Sequence, residues 1–325
     1  MAGDLGSGQG KLSGVIRSDR DMVLAVPTLT PSRSWQWPGL RAGAAHLVAA
    51  PAIAVLTLFI LAPIAMLVVQ SFSGPSDGFP SLVTVARLFK TDIYWRVLLR
   101  SILFSLEVTV VTIAVSWPAA WALARYVPKR WQTLILAAMI VPFLTSYLLL
   151  IYGMLVLLAP GGPIVWLTEI LGFAGDDASI LYTPAATFVM LVNESVGFAM
   201  IILFVAAQAV SGDQIEAVES LGGRHWQVFR HVIWPSSFRS LVTASILTFV
   251  PTAGIFAESQ ILGGPSDQLI GNMISDQITV MGDLRFSAAL SLLLLLSIVV
   301  VTALLLAVPR VWRLFTQRFQ SKVLA

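Results

Sequence analysis

The chain has 325 residues, of which 57% are hydrophobic and only 11% charged, with a formal net charge of +3. A soluble domain carries about 25% charged residues, so these charges are too few to coat a soluble surface, and a mean hydropathy of +0.85 points to lipid as the solvent. The small net charge argues against a nucleic-acid partner, and the lack of cysteine excludes disulfides, thiolate metal sites and cysteine catalysis.

Residues 1–45 are rich in Gly, Ser, Pro and Arg and hold no continuous apolar run. They read as a mostly disordered cytoplasmic tail rather than a signal peptide, which needs an apolar core near its start. Six apolar runs follow, at roughly 46–71, 98–124, 132–158, 181–209, 237–262 and 285–309. Each is long enough to cross a hydrocarbon core, which takes about 20 residues as a helix. Lipid offers nothing to an unpaired backbone, so the runs predict helices. The expected fold is an all-α integral membrane protein with a six-helix domain over 46–312. A second short cytoplasmic tail is expected over 313–325.

Orientation follows from the basic residues. With both termini in the cytoplasm, 15 of the 20 Lys and Arg residues lie in inside segments. The outer connections at 159–180 and 263–284 then carry Glu169, Asp176, Asp177, Asp267, Asp276 and Asp283 with no Lys or Arg. Membrane lipid is the first partner this pattern implies.

The longest inside connection spans 211–236. Asp213 with Glu216 three residues later has the form of a capping box, predicting a short helix through Ser220. Gly222 and Gly223 allow a sharp turn. A second helix is expected from Arg224, with Trp226, Phe229, Val232 and Ile233 on one face and Arg224, Arg230 and His231 on the other, ending at Pro235. Two readings fit this helix-turn-helix equally well: a re-entry helix on the membrane surface, or a plug for a cytoplasmic partner.

Three carboxylates fall within spans: Glu107, Glu194 and Glu258. A charge at the bilayer centre costs about 2.5–3.5 kcal/mol on insertion scales, so such groups face cavities, partner helices or water. They line a cation pathway, or else bond across helices and at the interface. Aromatic faces suit cations, which adds Tyr147 and Phe256 as candidate neighbours. Pro251 and Gly254 interrupt the fifth span, as part of a gate or as a packing kink. No ATP site is present: Gly10-Lys11-Leu12 lacks the first glycine and the Ser/Thr of a phosphate loop. The three histidines form no ligand cluster, so no metal site and no catalytic residue is expected.

Glu216-Ala217-Val218-Glu219-Ser220-Leu221-Gly222-Gly223, followed by Phe229 and Pro235, resembles the EAA motif of ABC importer permeases. Val141-Pro142-Phe143-Leu144-Thr145-Ser146-Tyr147-Leu148, Val250-Pro251-Thr252-Ala253-Gly254-Ile255-Phe256 and Ile261-Leu262-Gly263-Gly264 resemble the polyamine-type branch. The likeness covers about residues 50–310. The chain departs from the branch at Leu150, Met154 and Val196-Gly197-Phe198. The resemblance implies a MetI-like type I permease with coupling residues Glu216, Ala217, Leu221, Gly222 and Gly223. It further implies transport of spermidine and putrescine, and no cofactor in this chain. ATP and Mg would be bound by a partner ATPase dimer. A second, distinct permease subunit and an extracytoplasmic binding protein would complete the assembly. The competing class is a self-contained secondary transporter with Glu107 and Glu194 as coupling carboxylates. It has no need of the 216–235 loop, and co-purification with an ATPase separates the two.

Overall fold

The computed structural model describes residues 42–73, 81–170, 180–265 and 267–323, and these are helical with no strand among them. The tail over 1–45 falls outside the described residues but for its last four. The described residues divide into two units, 42–59 and 60–323. In chain order the helices are α1 (Ala42–Ser71), α2 (Val83–Lys90), α3 (Asp92–Tyr126), α4 (Lys129–Leu144), α5 (Tyr147–Leu158), α6 (Pro163–Ile170) and α7 (Pro184–Gln208). Then come α8 (Gly212–Ser220), α9 (His225–Val228), a π-helical turn (Phe229–Ile233), α10 (Trp234–Ala253), a second π-helical turn (Ser259–Gly263), α11 (Ile270–Thr279) and α12 (Leu284–Val323).

Four helices among the described residues are long and apolar enough to cross a membrane: Ile53–Ser71, Asp92–Tyr126, Pro184–Gln208 and Leu284–Pro309. The run expected as a span over 132–158 consists of two helices, α4 and α5, joined at a bend of 103°. Pro142 lacks a donor, and its carbonyl accepts from Thr145 N at 3.2 Å. Thr145 is then extended, so the helix cannot continue. The fifth run carries the break expected at Pro251 and Gly254. α10 ends at Ala253 after an internal Pro251, Ile255 and Phe256 are non-helical, and the π turn follows. At the other end α12 carries the sixth expected span, as Leu284–Pro309, and continues to Val323.

α3, α7 and α10 form the centre. α3 packs along α7, and α10 packs against both. The reason is legible in α3, where Ser101, Ser105, Thr109, Thr112, Ser116 and Ala120 recur at three- and four-residue spacing and are all buried. Small side chains let membrane helices approach closely. Their hydroxyls are largely satisfied within the helix: Ser105 donates to Ser101 O at 2.8 Å and Thr109 to Ser105 O at 2.7 Å. α10 is polar for a span because it is interior. Ser245 and Thr252 donate to carbonyls four residues back, Leu241 O at 2.8 Å and Thr248 O at 2.9 Å. Apolar clusters flank this centre, one around Phe249, Phe286 and Leu290 and another around Leu123, Leu203 and Phe204.

Candidate functional site

Two regions carry the predicted residues. The first is the 211–236 loop. α8 forms as expected, but its N-cap is Ser211 and no side chain caps it. The capping bond appears on the second helix instead, where Gln227 Oε1 accepts from Arg224 N at 2.7 Å. Glutamine at the third helical position reaches back to the cap amide, the half of a capping box that a search for Ser or Thr at the cap does not find. Between the helices Gly222 holds φ +79°, and Gly223 N donates to Val218 O at 2.9 Å. Glu216, Ala217, Leu221 and Gly222 are exposed, Leu221 to 89%, so the turn presents a free tip.

The second helix does not end at Pro235. It passes through the π turn directly into α10, with Pro235 in the first turn of that helix, where its missing donor costs least. Aromatic rings tie this passage to the membrane helices. Trp226 stacks on Phe229 at 5.3 Å, Phe229 lies 5.5 Å from Trp117 on α3, and Trp234 lies 5.6 Å from Trp117 and 5.9 Å from Phe238.

The second region is a cavity of about 260 Å³ between the α4–α5 bend, α7 and α10. One water needs only ~10–15 Å³. The bend contributes Phe143 and Tyr147, α7 contributes Glu194 and Phe198, and α10 contributes Thr248, Pro251 and Thr252. Glu258 closes it from the segment after the break in α10. Four predicted pathway residues, Tyr147, Glu194, Pro251 and Glu258, therefore come together. Glu258 is 1% exposed, and its Oε1 has no hydrogen-bond partner among the described residues. Phe256 neighbours the lining residue Ile255 without lining the cavity itself, and is 47% exposed. Glu107 is elsewhere: it is exposed on α3, in a stripe with Leu103 and Val110 away from the buried face. Sequence reasoning named Phe198 only as a departure from the family branch and Thr252 only within a motif, and did not single out Thr248. Their spacing was the available signal, four residues from Glu194 and on either side of Pro251.

Beside this cavity sits a buried polar knot. Asp267 is fully buried, and its Oδ2 accepts from Thr187 Oγ1 at 2.6 Å. Its backbone carbonyl accepts from Ser259 Oγ, which in turn accepts from Asn272 Nδ2 at 3.2 Å. Arg100 Nη2 lies 3.7 Å from Asp267 Oδ1. Burial pushes the Asp267 carboxyl above its ordinary range, while the Thr187 and Ser259 hydroxyls and the Arg100 guanidinium pull it back.

A multi-helix membrane domain, a mainly apolar cavity holding two carboxylates among broken helices, and an exposed helix-turn-helix together fit a transport subunit. The chain belongs to the family of binding-protein-dependent transport system inner membrane components, whose model matches residues 112–313. It is thus a membrane component of a transport system and not an enzyme. It is similar to the spermidine/putrescine transport system permease protein PotB of Salmonella typhimurium (strain SL1344), with 32% identity over 244 residues, 74% of this chain and 84% of that protein. Its likeness to PotB of Escherichia coli (strain K12) is 30% over 270 residues, 82% and 96%. In fold it resembles a chain of a bacterial ABC transporter that imports the acidic polysaccharide alginate, with TM-score 0.65 and 14% identity over 82% of this chain and 94% of that one. The same holds for the alginate transporter in complex with its alginate pentasaccharide-bound periplasmic protein, with TM-score 0.67 and 12% identity over 80% and 92%. These confirm the all-helical MetI-like permease fold expected from the sequence.

Proposed function

We propose that this chain is one permease subunit of an ATP-driven importer, and that its cargo is a polyamine of the spermidine/putrescine class. The observation that carries the cargo is the cavity, which sets two carboxylates, Glu194 and Glu258, among aromatic walls. A polyamine alternates ammonium groups with apolar spacers. Carboxylates suit the first, and aromatic faces suit both. The names of the PotB relatives support the same cargo.

In this reading the chain crosses a prokaryotic cytoplasmic membrane six times with both termini inside. The bent α4–α5 pair serves as one crossing, and α10 with the segment after its break serves as another. The tip formed by Glu216, Ala217, Leu221, Gly222 and Gly223 sits in an ATPase dimer, which binds ATP and Mg; the chain itself holds no cofactor. A second, related permease completes the pathway, and Glu107 on the exposed face of α3 borders it from that side. An external binding protein delivers the cargo. Pro251 and Gly254 form the flexible wall through which closure of the ATPase is felt at the cavity.

The test is uptake of labelled putrescine and spermidine by cells lacking other polyamine importers and expressing the whole transport system. ATP-dependent uptake that falls with Glu194→Gln supports the reading. Absence of polyamine uptake by the intact, assembled system would end it.

A further inference from the structure

We propose that Asp267 sets the spacing between Glu194 and Glu258, and with it the length of cation that the cavity prefers. The second half of this inference rests on the reading of the cavity as a cation site. Asp267 belongs to the connection between the second π turn and α11 and does not line the cavity. It grips both elements that present the cavity carboxylates.

On one side its carboxylate accepts from Thr187 of α7. Thr187 and Glu194 are seven residues apart, two helical turns, and so lie on one face of that helix. On the other side its backbone carbonyl accepts from Ser259, the residue directly after Glu258. Asn272 holds the same Ser259 hydroxyl at 3.2 Å, and Arg100 of α3 stands 3.7 Å from the second carboxylate oxygen. The fit is close. A Cβ added at Gly263 would lie 2.7 Å from both Asp267 Cβ and Thr187 Oγ1, so only glycine leaves room for the carboxylate. Asp267, Thr187, Ser259 and Glu258 are each at most 1% exposed. Asp267 Oδ1 and Asn272 Oδ1 have no hydrogen-bond partner among the described residues, so the tie between α7 and the π turn runs through the two bonds that Asp267 accepts, from Thr187 and from Ser259. Fixing Thr187 against Ser259 therefore fixes the distance across which Glu194 and Glu258 face a cargo with two ammonium ends.

The chain has no native cysteine, which permits a direct distance measurement. Ala185→Cys on α7 and Gln260→Cys on the π turn are both exposed positions. They would be spin-labelled in the assembled transporter and read by pulsed dipolar spectroscopy. The expected result is one narrow distribution, broadened or displaced by Thr187→Val and by Asp267→Asn, and restored by Thr187→Ser, which keeps the donor. Uptake of linear diamines with three- to six-carbon spacers is the second readout. The preference between best and worst lengths should flatten on the order of tenfold in Thr187→Val, the worth of one hydrogen bond to a charged group. Thr187→Ser should keep the parental profile. Unchanged distances in both disruptive variants overturn the clamp. Changed distances with an unchanged length profile overturn its part in selection. If the parent transports no diamine, the cation reading and the selection role fall together, while the distances still decide whether Asp267 sets the spacing.

Discussion

The turn at Gly222-Gly223 offers the sharpest test of the proposed coupling loop, because its two glycines are needed for different reasons. Gly222 sits at φ +79° with nothing within 4 Å of an added Cβ. Bulk is harmless there and only the left-handed backbone matters, at about 1–2 kcal/mol for a residue with a Cβ. Gly223 is confined. A Cβ there would lie 2.6 Å from both the carbonyl oxygen and Cγ1 of Val218. A rotamer change frees the methyl but not the carbonyl, so the backbone must move. That movement strains or breaks the bond from Gly223 N to Val218 O, worth about 0.5–1.5 kcal/mol. A loss of about 0.5–2 kcal/mol, the range covering both glycines, lowers the ratio of native to distorted turn by a factor of roughly 2–30. In proteoliposomes with binding protein and ATPase, Gly223→Ala should lower cargo moved per ATP by about that factor while the membrane helices stay folded. Gly222→Ala should fall within the same range, and Gly222→Asn should be milder, because asparagine tolerates the left-handed region. Parental coupling in Gly223→Ala, or a larger defect in Gly222→Asn than in Gly222→Ala, would refute the reasoning.

Three further outcomes are expected. Glu194→Gln and Glu258→Gln should each raise the apparent uptake KM about 10–100-fold through loss of a charged partner worth about 1.5–3 kcal/mol; titrating uptake against cargo concentration checks this, and an unchanged KM in both removes the carboxylates from the site. Pro251→Ala should leave assembly with the ATPase intact but slow uptake, since it restores a helical hydrogen bond at the break; wild-type uptake would reduce Pro251 to a packing kink. Gln132→Leu should destabilise the C-terminal end of α3 by ~1–3 kcal/mol, because Gln132 Nε2 donates to Leu123 O at 3.1 Å and Val127 O at 2.8 Å; thermal unfolding of the purified chain is the measurement.

Fold class and most helices were legible in the sequence because lipid imposes a strong compositional rule. The failures came where local chemistry competes with hydropathy. Pro142 with Thr145-Ser146 turned one apolar run into two helices, although hydropathy reads straight through them. Pro235 was expected to end a helix. It lies instead in the first turn of α10, directly after the π turn, and composition gives no sign of a π turn. Glu107 and Glu194 look equivalent as single carboxylates in apolar runs. Only packing separates them, since Glu107 lies opposite the Ser101–Ser116 stripe that α3 buries. Asp267 read as one more acid in an outer loop, because the glycine that makes room for it and the threonine that binds it are four and 80 residues away.

The continuity from α9 into α10 has a mechanical consequence for the proposed coupling. From Trp226 to Pro251 the chain forms one helical path interrupted only by a π turn, and that turn is held by rings from both ends. Phe229 touches Trp226 on the loop, Trp117 on α3 and Trp234 on α10. Each aromatic pair contributes about 0.5–1.5 kcal/mol beyond its buried area, so the cluster resists bending at the point where a π turn would otherwise be soft. A displacement of the loop tip is then delivered along α10 rather than absorbed at its entry. The first place the path can yield is Pro251, where it also meets the cavity. Phe229→Ala should therefore leave ATPase docking intact while making the entry the soft point, so that ATP is spent without uptake. Loss of docking in that variant, or retained coupling, would show that the motion takes another route.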